Sequence, residues 1–240
     1  MIQFFKISLA SAYLETVSFF RVKESFFFSF VFPVFIFVLF GTIWGDSYSY
    51  YIPFLLSGVI GMTIASDAMF SIGPVIRLYH TNNVIKFLRN LPMNILSHFF
   101  GMLLSRILAL GLAIFLVSTT AALIFKFRPS MSECSFYMVG SILGVMLFSF
   151  LGLFLSSFSN RQSGRGFINL LFFVMIFLSG CFYPVQRLPV FLQHIAQFLP
   201  LTHLLEFIRQ DTRVIWYLIG WILLFMILFY FVFYKKQILR

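Results

Sequence analysis

The sequence predicts an all-α integral membrane protein with an N-terminal interfacial amphipathic helix, six transmembrane helices, and an outer re-entrant helical hairpin between spans five and six. Three observations predict this fold. Hydrophobic residues make up 61% of the 240 residues and charged residues only 10%, whereas a soluble domain carries about 25% charged residues. Apolar runs long enough to cross a bilayer recur along the chain. One apolar region, residues 177–209, is broken by three prolines and cannot form one continuous helix.

Residues 2–24 are predicted to form the interfacial helix. On a helical wheel, one side is mainly apolar and holds Ile2, Phe5, Leu9, Ala12, Thr16 and Phe20. Another side is polar and holds Ser8, Ser11, Glu15 and Ser18. This amphipathic pattern favours a helix that lies in the membrane interface over one that crosses the bilayer. It fits either a plain membrane anchor or a helix that also touches a cytoplasmic partner.

Hydropathy and its interruptions place the six spans at about 25–45, 53–72, 99–125, 134–158, 167–181 and 213–234. Trp44 and the tyrosines that follow it form an aromatic belt at the outer interface. Pro53 is suited to open the second span, because the first turn of a helix does not use its missing donor. Residues 159–166 are predicted to be a short basic loop before the fifth span.

Two charged residues fall inside predicted spans, Asp67 in the second and Arg106 in the third. An ionisable group within a bilayer is costly and is a candidate for a function in the transport pathway. Asp67 also fits a carboxylate near the inner end that bonds to Ser66 or Ser71. Arg106 has two interpretations: it extends along its stem to the interface, or it pairs with Asp67.

The longest polar stretch, residues 73–98, contains a short predicted helix within 77–92. Its centre combines large apolar and basic side chains: Val84, Ile85, Lys86, Phe87, Leu88 and Arg89. A solvated loop has no use for so many large apolar groups. The pattern therefore indicates a small helix that docks into a groove, with an interfacial helix lacking a partner as the alternative.

Residues 182–209 are predicted to form the re-entrant hairpin. Pro184, Pro189 and Pro200 divide it into short helices, yet the segment is too apolar for a water-exposed loop. Backbone at membrane depth must be buried in protein or face a watery cavity. Glu206 and Arg209 are neighbours on a helix and predict a local ion pair, with direct substrate contact as the alternative. His203 is expected to hydrogen-bond within the hairpin.

This segment resembles the outer hairpin of ABC-2 type transporter permeases. The resemblance rests on the order Ser-Gly, aromatic residue, Pro, Leu-Pro, then Leu-Pro-Leu-Thr-His followed by a glutamate and an arginine. The positions that carry it are Gly180, Pro184, Leu188, Pro189, Pro200, His203, Glu206 and Arg209. The alternative is a proline-broken span of an unrelated polytopic protein.

Charge agrees with a topology in which both termini are cytoplasmic. Most of the 17 Lys and Arg residues then lie on the cytoplasmic side, as the positive-inside rule requires. The outer side keeps Lys126, Arg128, Arg187, Arg209 and Arg213. The net charge of +10 is therefore explained by topology and does not indicate nucleic-acid binding.

Several chemistries are not predicted. The sequence contains no G-x-x-x-x-G-K-[ST] motif for ATP, no metal-ligand spacing and no recognisable catalytic triad. We therefore expect neither a catalytic residue nor a bound cofactor in this chain. Cys134 and Cys181 both fall near the outer face, and free thiols are expected over a disulfide between them.

The resemblance implies a single ABC-2 type transmembrane domain over 1–240, acting as the permease subunit of an exporter in the bacterial cytoplasmic membrane. Its implied partners are two ABC ATP-binding subunits, which hold ATP and magnesium, a second copy of the chain or a paralogous permease, and membrane lipid. It further implies that 77–92 is the cytoplasmic coupling helix and 182–209 the outer gate. The alternatives are a self-sufficient channel or secondary carrier, and a membrane-embedded transferase.

Overall fold

A computed structural model of the protein describes residues 2–45, 50–72, 95–158 and 162–238. The described residues form helices joined by short connections and include no β-strand. The α-helices are α1 (Ile2–Arg21), α2 (Lys23–Phe26), α3 (Phe32–Trp44), α4 (Tyr51–Asp67), α5 (Ile95–Ile124), α6 (Met131–Phe158), α7 (Gln162–Leu178), α8 (Val190–Gln197), α9 (Pro200–Ile208) and α10 (Ile215–Ile238). Two π-helical segments (Phe27–Val31 and Ala68–Ile72) and two 3₁₀ turns (Val185–Arg187 and Thr212–Val214) complete the order. The all-α prediction is therefore confirmed.

Five of the described helical segments are long and apolar enough to cross a membrane: Phe27–Trp44, Tyr51–Phe70, Phe100–Ile124, Met131–Leu155 and Thr212–Phe231. They correspond to five of the six predicted spans. The remaining predicted span, 167–181, corresponds to the shorter apolar helix Gly166–Leu178 within α7. Helix α7 also begins at Gln162, so residues predicted to belong to a loop over 159–166 are already helical from that point.

The first span is not a uniform α-helix. Helix α1, predicted as the interfacial helix over 2–24, ends at Arg21, and α2 and the π-helical segment Phe27–Val31 precede α3. Pro33 stands at the start of α3 and has no backbone donor for an i→i−4 bond. Immediately before it, the Phe32 N–H bonds to the Phe27 carbonyl, which is the wider i→i−5 spacing of a π-helix.

Helix α4 is the centre of the bundle. Almost every residue from Leu55 to Ala65 is buried, because α3, α5, α6 and α9 all pack around it. Ser57, Gly58 and Gly61 supply small side chains along this helix, and small residues let neighbouring backbones approach closely. The second span is therefore surrounded by protein, whereas the first and last spans expose most of their surface.

The amphipathic helix α1 lies along the first half of α5. A Cβ at Gly101 of α5 would lie only 2.7 Å from the Ser11 Cβ, so the two helices approach at van der Waals distance. Ser8 and Ser11 are buried in this contact, and the Thr16 hydroxyl lies 2.9 Å from the Ser105 hydroxyl. The small polar face of α1 therefore binds protein.

The apolar face of α1 points away from the bundle. Its large side chains are mostly exposed: Phe5, Leu9, Tyr13, Leu14 and Phe20. The sequence predicted two faces for this helix, and three of their members are corrected. Ala12 and Thr16, placed on the apolar side, face α5, since Ala12 is buried and the Thr16 hydroxyl meets that of Ser105. Ser18, placed on the polar side with Ser8 and Ser11, is exposed. An apolar face turned outward is what a helix seated among acyl chains requires.

A short connection joins α5 to α6, in the gap that the predicted spans leave between 125 and 134. It ends in a reciprocal cap, in which the Ser130 N–H donates to a Glu133 carboxylate oxygen at 2.6 Å and the Glu133 N–H donates to the Ser130 hydroxyl at 3.2 Å. This capping box starts α6 at Met131, slightly earlier than the predicted 134.

Between α7 and α10 the chain forms the two short helices α8 and α9, which the three prolines predicted. Helix α9 is buried and packs against α4, α6 and α10. Gly61, Gly140 and Gly144 face its side chains Leu205, Ile208 and Leu204, respectively. Just before the hairpin, the carbonyl oxygen of Cys181 occupies the position where a Cβ of residue 58 would lie.

Gly58 should therefore be required for packing of the hairpin on α4. In Gly58→Ala the new methyl group overlaps a backbone oxygen that no rotamer change can move, and we expect a loss of about 3 kcal/mol, the upper end for over-packing. The measurement is thermal unfolding in detergent, followed by size-exclusion chromatography. Gly111→Ala is the matched control, because its Cβ would meet nothing within 4 Å. Equal unfolding temperatures for the two variants would contradict the close approach.

Candidate functional site

Helix α7 ends at Leu178, and the chain leaves it through Gly180, just before the hairpin. The last helical bond runs from the Ser179 N–H to the Met175 carbonyl, and Gly180 then adopts a φ of +80°. Only glycine reaches this left-handed conformation without strain. Gly180 is buried, so its carbonyl oxygen cannot rely on bulk water and needs a donor from the protein.

The three prolines stand where a missing N–H costs little. Pro184 precedes the 3₁₀ turn, Pro189 is the N-cap of α8, and Pro200 is the first residue of α9. The carbonyl of Pro189 accepts from the Leu192 N–H at 2.8 Å. The Gln193 side chain donates back to the Leu188 carbonyl at 2.7 Å and so fastens α8 to the turn before it. The prolines thus begin helices and interrupt none.

His203 bonds within the hairpin, as predicted. Its Nδ1 lies 3.1 Å from the Leu199 carbonyl oxygen, and its ring centroid lies 5.0 Å from that of Tyr217 in α10. The neighbouring Thr202 hydroxyl donates to the Ala196 carbonyl at 2.6 Å and joins α8 to α9. These contacts give His203 a structural role at the junction of the hairpin with the last span.

Arg209 connects the hairpin to the central helix. Its Nε donates to the Ser57 hydroxyl at 2.9 Å, and its Nη2 donates to the carbonyls of Gly180 at 2.8 Å and Phe54 at 3.3 Å. The guanidinium carbon also lies 3.9 Å from the centroid of the Phe54 ring. One side chain therefore satisfies the carbonyl that the break at Gly180 leaves open and binds α4 by both hydrogen bonds and a cation–π contact.

The predicted ion pair between Glu206 and Arg209 is wrong: the two side chains do not pair within the described part of the chain. Helix α9 ends at Ile208, and Arg209 is its C-cap with φ −84° and ψ 18°. Its N–H still bonds to the Leu205 carbonyl at 2.9 Å, so helix spacing keeps the two residues near each other. The guanidinium nevertheless extends to Ser57, Phe54 and Gly180, where it donates three hydrogen bonds that a single carboxylate contact would not replace. Burial raises the pKa of Glu206, and burial lowers the pKa of Arg209 to about 10. Arg209 therefore stays protonated at neutral pH.

Asp67 and Arg106 form the ion pair that the sequence offered as one of two interpretations. Arg106 Nη1 lies 3.7 Å from Asp67 Oδ1, and the two side chains are only 10% and 3% exposed. The Arg106 guanidinium carbon also lies 4.8 Å from the ring centroid of Phe19, which belongs to α1. The Ser66 hydroxyl bonds to Thr63 of its own helix at 3.0 Å. Arg106 thus meets α1 and α4 together.

The remaining predicted site residues lie elsewhere. Val84, Ile85, Lys86, Phe87, Leu88 and Arg89, with the whole of 77–92, fall outside the described residues. In the described part of the chain, no group of His, Cys, Asp and Glu residues could hold a metal ion. Both cysteines are free thiols, as expected.

Sequence reasoning missed the side of α4 that receives the hairpin, namely Phe54, Ser57 and Gly58. These residues lie far from Arg209 in the sequence, and no pattern in the neighbouring residues predicts the contact. A signal was present in the spacing of Ser57, Gly58 and Gly61, because small residues at helical spacing in an apolar span indicate a close helix neighbour.

Arg209→Lys should loosen the hairpin although it keeps the charge. Lysine cannot present the planar fork that reaches three acceptors at once, and we expect a loss of about 2 kcal/mol. The measurement, in a Cys134→Ser background, is the rate at which a maleimide labels Cys181, which is fully buried beside Gly180. A rise of about thirtyfold corresponds to that free energy. Arg213→Lys, at an exposed position, is the control. An unchanged labelling rate in Arg209→Lys would show that the fork is dispensable.

A comparison with protein families gives a match to the ABC-2 type transporter model over residues 9–211. The match runs from within α1 to the end of the hairpin, so it includes both arginine contacts. A search of curated proteins gives no match. Combined with the five long apolar helices, the family match identifies a multi-pass membrane protein and a membrane component of an ABC transporter. The chain belongs to the ABC-2 type transporter family.

Proposed function

We propose that this chain is the permease subunit of an ABC exporter, and that it forms the transport path together with a second copy of itself or a paralogous permease. The observation that carries the proposal is the family match over residues 9–211. The cargo class is amphipathic: a lipid-linked compound, a glycan, a drug or a peptide. The membrane is the bacterial cytoplasmic membrane.

The energy source lies in a different subunit. The sequence has no G-x-x-x-x-G-K-[ST] loop to cradle the phosphates of ATP. Two ABC ATP-binding subunits supply that loop, and they bind ATP and magnesium. The permease contributes the groups that receive their motion. The coupling helix over 77–92 docks on the ATP-binding subunit through Phe87 and Leu88, flanked by the basic Lys86 and Arg89.

The proposed topology has six spans and two cytoplasmic termini. Helix α7 is the short fifth span, and it ends just before Gly180 because the hairpin takes over there. Helices α8 and α9 are too short to cross a bilayer, since eight and nine residues extend only about 12–14 Å. The two helices enter the membrane from the outer side and return to the outer side. The burial of α9 against α4 and α6 supports a position within the bundle.

In the transport cycle, ATP binding draws the two ATP-binding subunits together. The coupling helix and α1 carry that motion to the spans, and the two permease bundles rock apart. The hairpins form the outer gate between them. Arg209 keeps each hairpin attached to α4, so the gate moves with the bundle and does not unfold from it.

The topology can be checked with single cysteines. Gln186→Cys, in the exposed 3₁₀ turn of the hairpin, should react with a membrane-impermeant maleimide added to intact spheroplasts. Lys6→Cys, at an exposed basic position of α1, should react only after the membrane is permeabilised. Both variants carry Cys134→Ser to remove the half-buried native thiol. Labelling of the two sites from the same side would contradict the outer hairpin.

The dependence on a separate ATPase can be tested through the coupling helix. Leu88→Glu places a charge in the proposed docking contact, and we expect the co-expressed ATP-binding subunit to be lost from the purified permease. Arg128→Glu, on the proposed outer turn, is the matched control and should retain it. The measurements are co-purification and ATP hydrolysis in proteoliposomes. A chain that moves an amphipathic dye without any ATP-binding subunit would instead favour a self-sufficient channel or secondary carrier.

A further inference from the structure

Helix α4 is held near each of its ends by an arginine from another element. Near its C-terminal end, Arg106 of α5 pairs with Asp67 at 3.7 Å. Towards its N-terminal end, Arg209 donates to Ser57 at 2.9 Å. A rise of roughly 1.5 Å per residue separates Ser57 and Asp67 by about 15 Å along the helix axis. Asp67, Arg106 and Ser57 are buried and Arg209 is half-buried, so the contact at Asp67 is the better shielded from water of the two.

The contact at Asp67 involves three elements. The Arg106 guanidinium lies over the ring of Phe19 in α1, with 4.8 Å from its carbon to the ring centroid. Phe19 in turn packs edge-on against Phe30 of the first span, with ring centroids 5.9 Å apart. The neighbouring Thr16 and Ser105 hydroxyls lie 2.9 Å apart. A displacement of α1 along α5 therefore moves the ring on which Arg106 rests.

The contact at Ser57 involves the hairpin. The guanidinium that binds Ser57 also holds the carbonyl of Gly180, which lies just after the end of α7. Between the two contacts α4 is an uninterrupted α-helix, buried along almost its whole length. A helix with a complete hydrogen-bond ladder and close packing transmits a shift from one end to the other without bending.

We propose that Arg106 is a positioning residue that passes motion of α1 to α4, and that α4 carries it to the hairpin through Ser57 and Arg209. This inference rests on the proposed function, because it assigns the route by which the ATP-binding subunits reach the outer gate. The contact between Arg106 and Asp67 is an ion pair at a distance too long for a hydrogen bond. It therefore depends on charge at a defined position more than on the fork of the guanidinium.

The test measures hairpin movement and needs no cargo. The complex of permease and ATP-binding subunit, with Gln186→Cys and Cys134→Ser in the permease, is placed in lipid nanodiscs. The probe is the rate of maleimide labelling without nucleotide and after trapping with ATP and vanadate. We expect the two rates to differ about tenfold, which is within the usual range for coupling between two sites. The same complex with Cys134→Ser but without Gln186→Cys gives the labelling of the buried Cys181 under each condition, and this rate is subtracted.

Arg106→Gln should bring the ratio of the two rates close to one, and Arg106→Lys should restore most of it, because lysine keeps the charge and the contact with the Phe19 ring. Phe19→Leu, which keeps apolar packing but removes the ring, should reduce the ratio. This variant also keeps the test decisive if Arg106→Gln fails to fold. Arg128→Gln, at an exposed position away from α4, is the control and should leave the ratio unchanged.

The outcomes separate this inference from the function on which it rests. A complex that traps no nucleotide in the unsubstituted chain would overturn the proposed function. A complex that traps nucleotide, but whose hairpin labelling does not respond to it, would overturn the route through α4. The route through α4 would also be overturned if the ratio of labelling rates in Arg106→Gln or Phe19→Leu equalled that of the unsubstituted chain. It would likewise be overturned if Arg106→Lys gave the same ratio as Arg106→Gln.

Discussion

A helix that stops inside an apolar bundle has no water to satisfy its last carbonyl, and the structure of this chain depends on how that constraint is met. Helix α7 stops just before Gly180, whose buried carbonyl accepts from Arg209 at 2.8 Å. The same guanidinium binds the carbonyl of Phe54 and the hydroxyl of Ser57. The residue that closes the break thus also anchors the hairpin to the central helix. Without such a donor, α7 could end only at the membrane surface, and the two short helices after it would have no place in the bundle.

Close approach is the second condition on this arrangement. Hydrogen bonds from Arg209 reach α4 because the backbone at Cys181 lies directly against Gly58. Further along, Gly61, Gly140 and Gly144 make room for the leucine and isoleucine side chains of α9. In a bilayer, helices gain little from simply hiding apolar surface from lipid, so contact area and polar contacts decide how they associate. Small residues on α4 and α6 allow the large contact area, and Arg209 supplies the polar contacts.

Much of this could be predicted from the sequence, because it follows from local rules. Proline positions predicted where α8 and α9 begin, and the rarity of charge in apolar spans made Asp67 and Arg106 candidates for pairing. The direction of Arg209 could not be predicted in the same way. It depends on acceptors that tertiary packing brings to the guanidinium, namely the Ser57 hydroxyl and the carbonyls of Phe54 and Gly180, which are far away in sequence. The polar face of α1 was identified only in part, because Thr16 was placed on the other side, and amphipathicity alone does not say whether protein or water lies against a polar face. The segment over 77–92 stays a prediction.

The seating of α1 has a consequence for the environment in which the protein works. Its protein-facing side is small and polar, whereas its bulky side chains, such as Phe5, Leu9 and Tyr13, point outward. In the proposed interfacial position, these side chains would contact acyl chains while the opposite side of the helix contacts α5. The depth of α1 in the bilayer would then be felt at Phe19, whose ring lies 4.8 Å from the guanidinium carbon of Arg106. On the proposed placement, the thickness of the surrounding bilayer is thereby linked to the position of the arginine that pairs with the central helix.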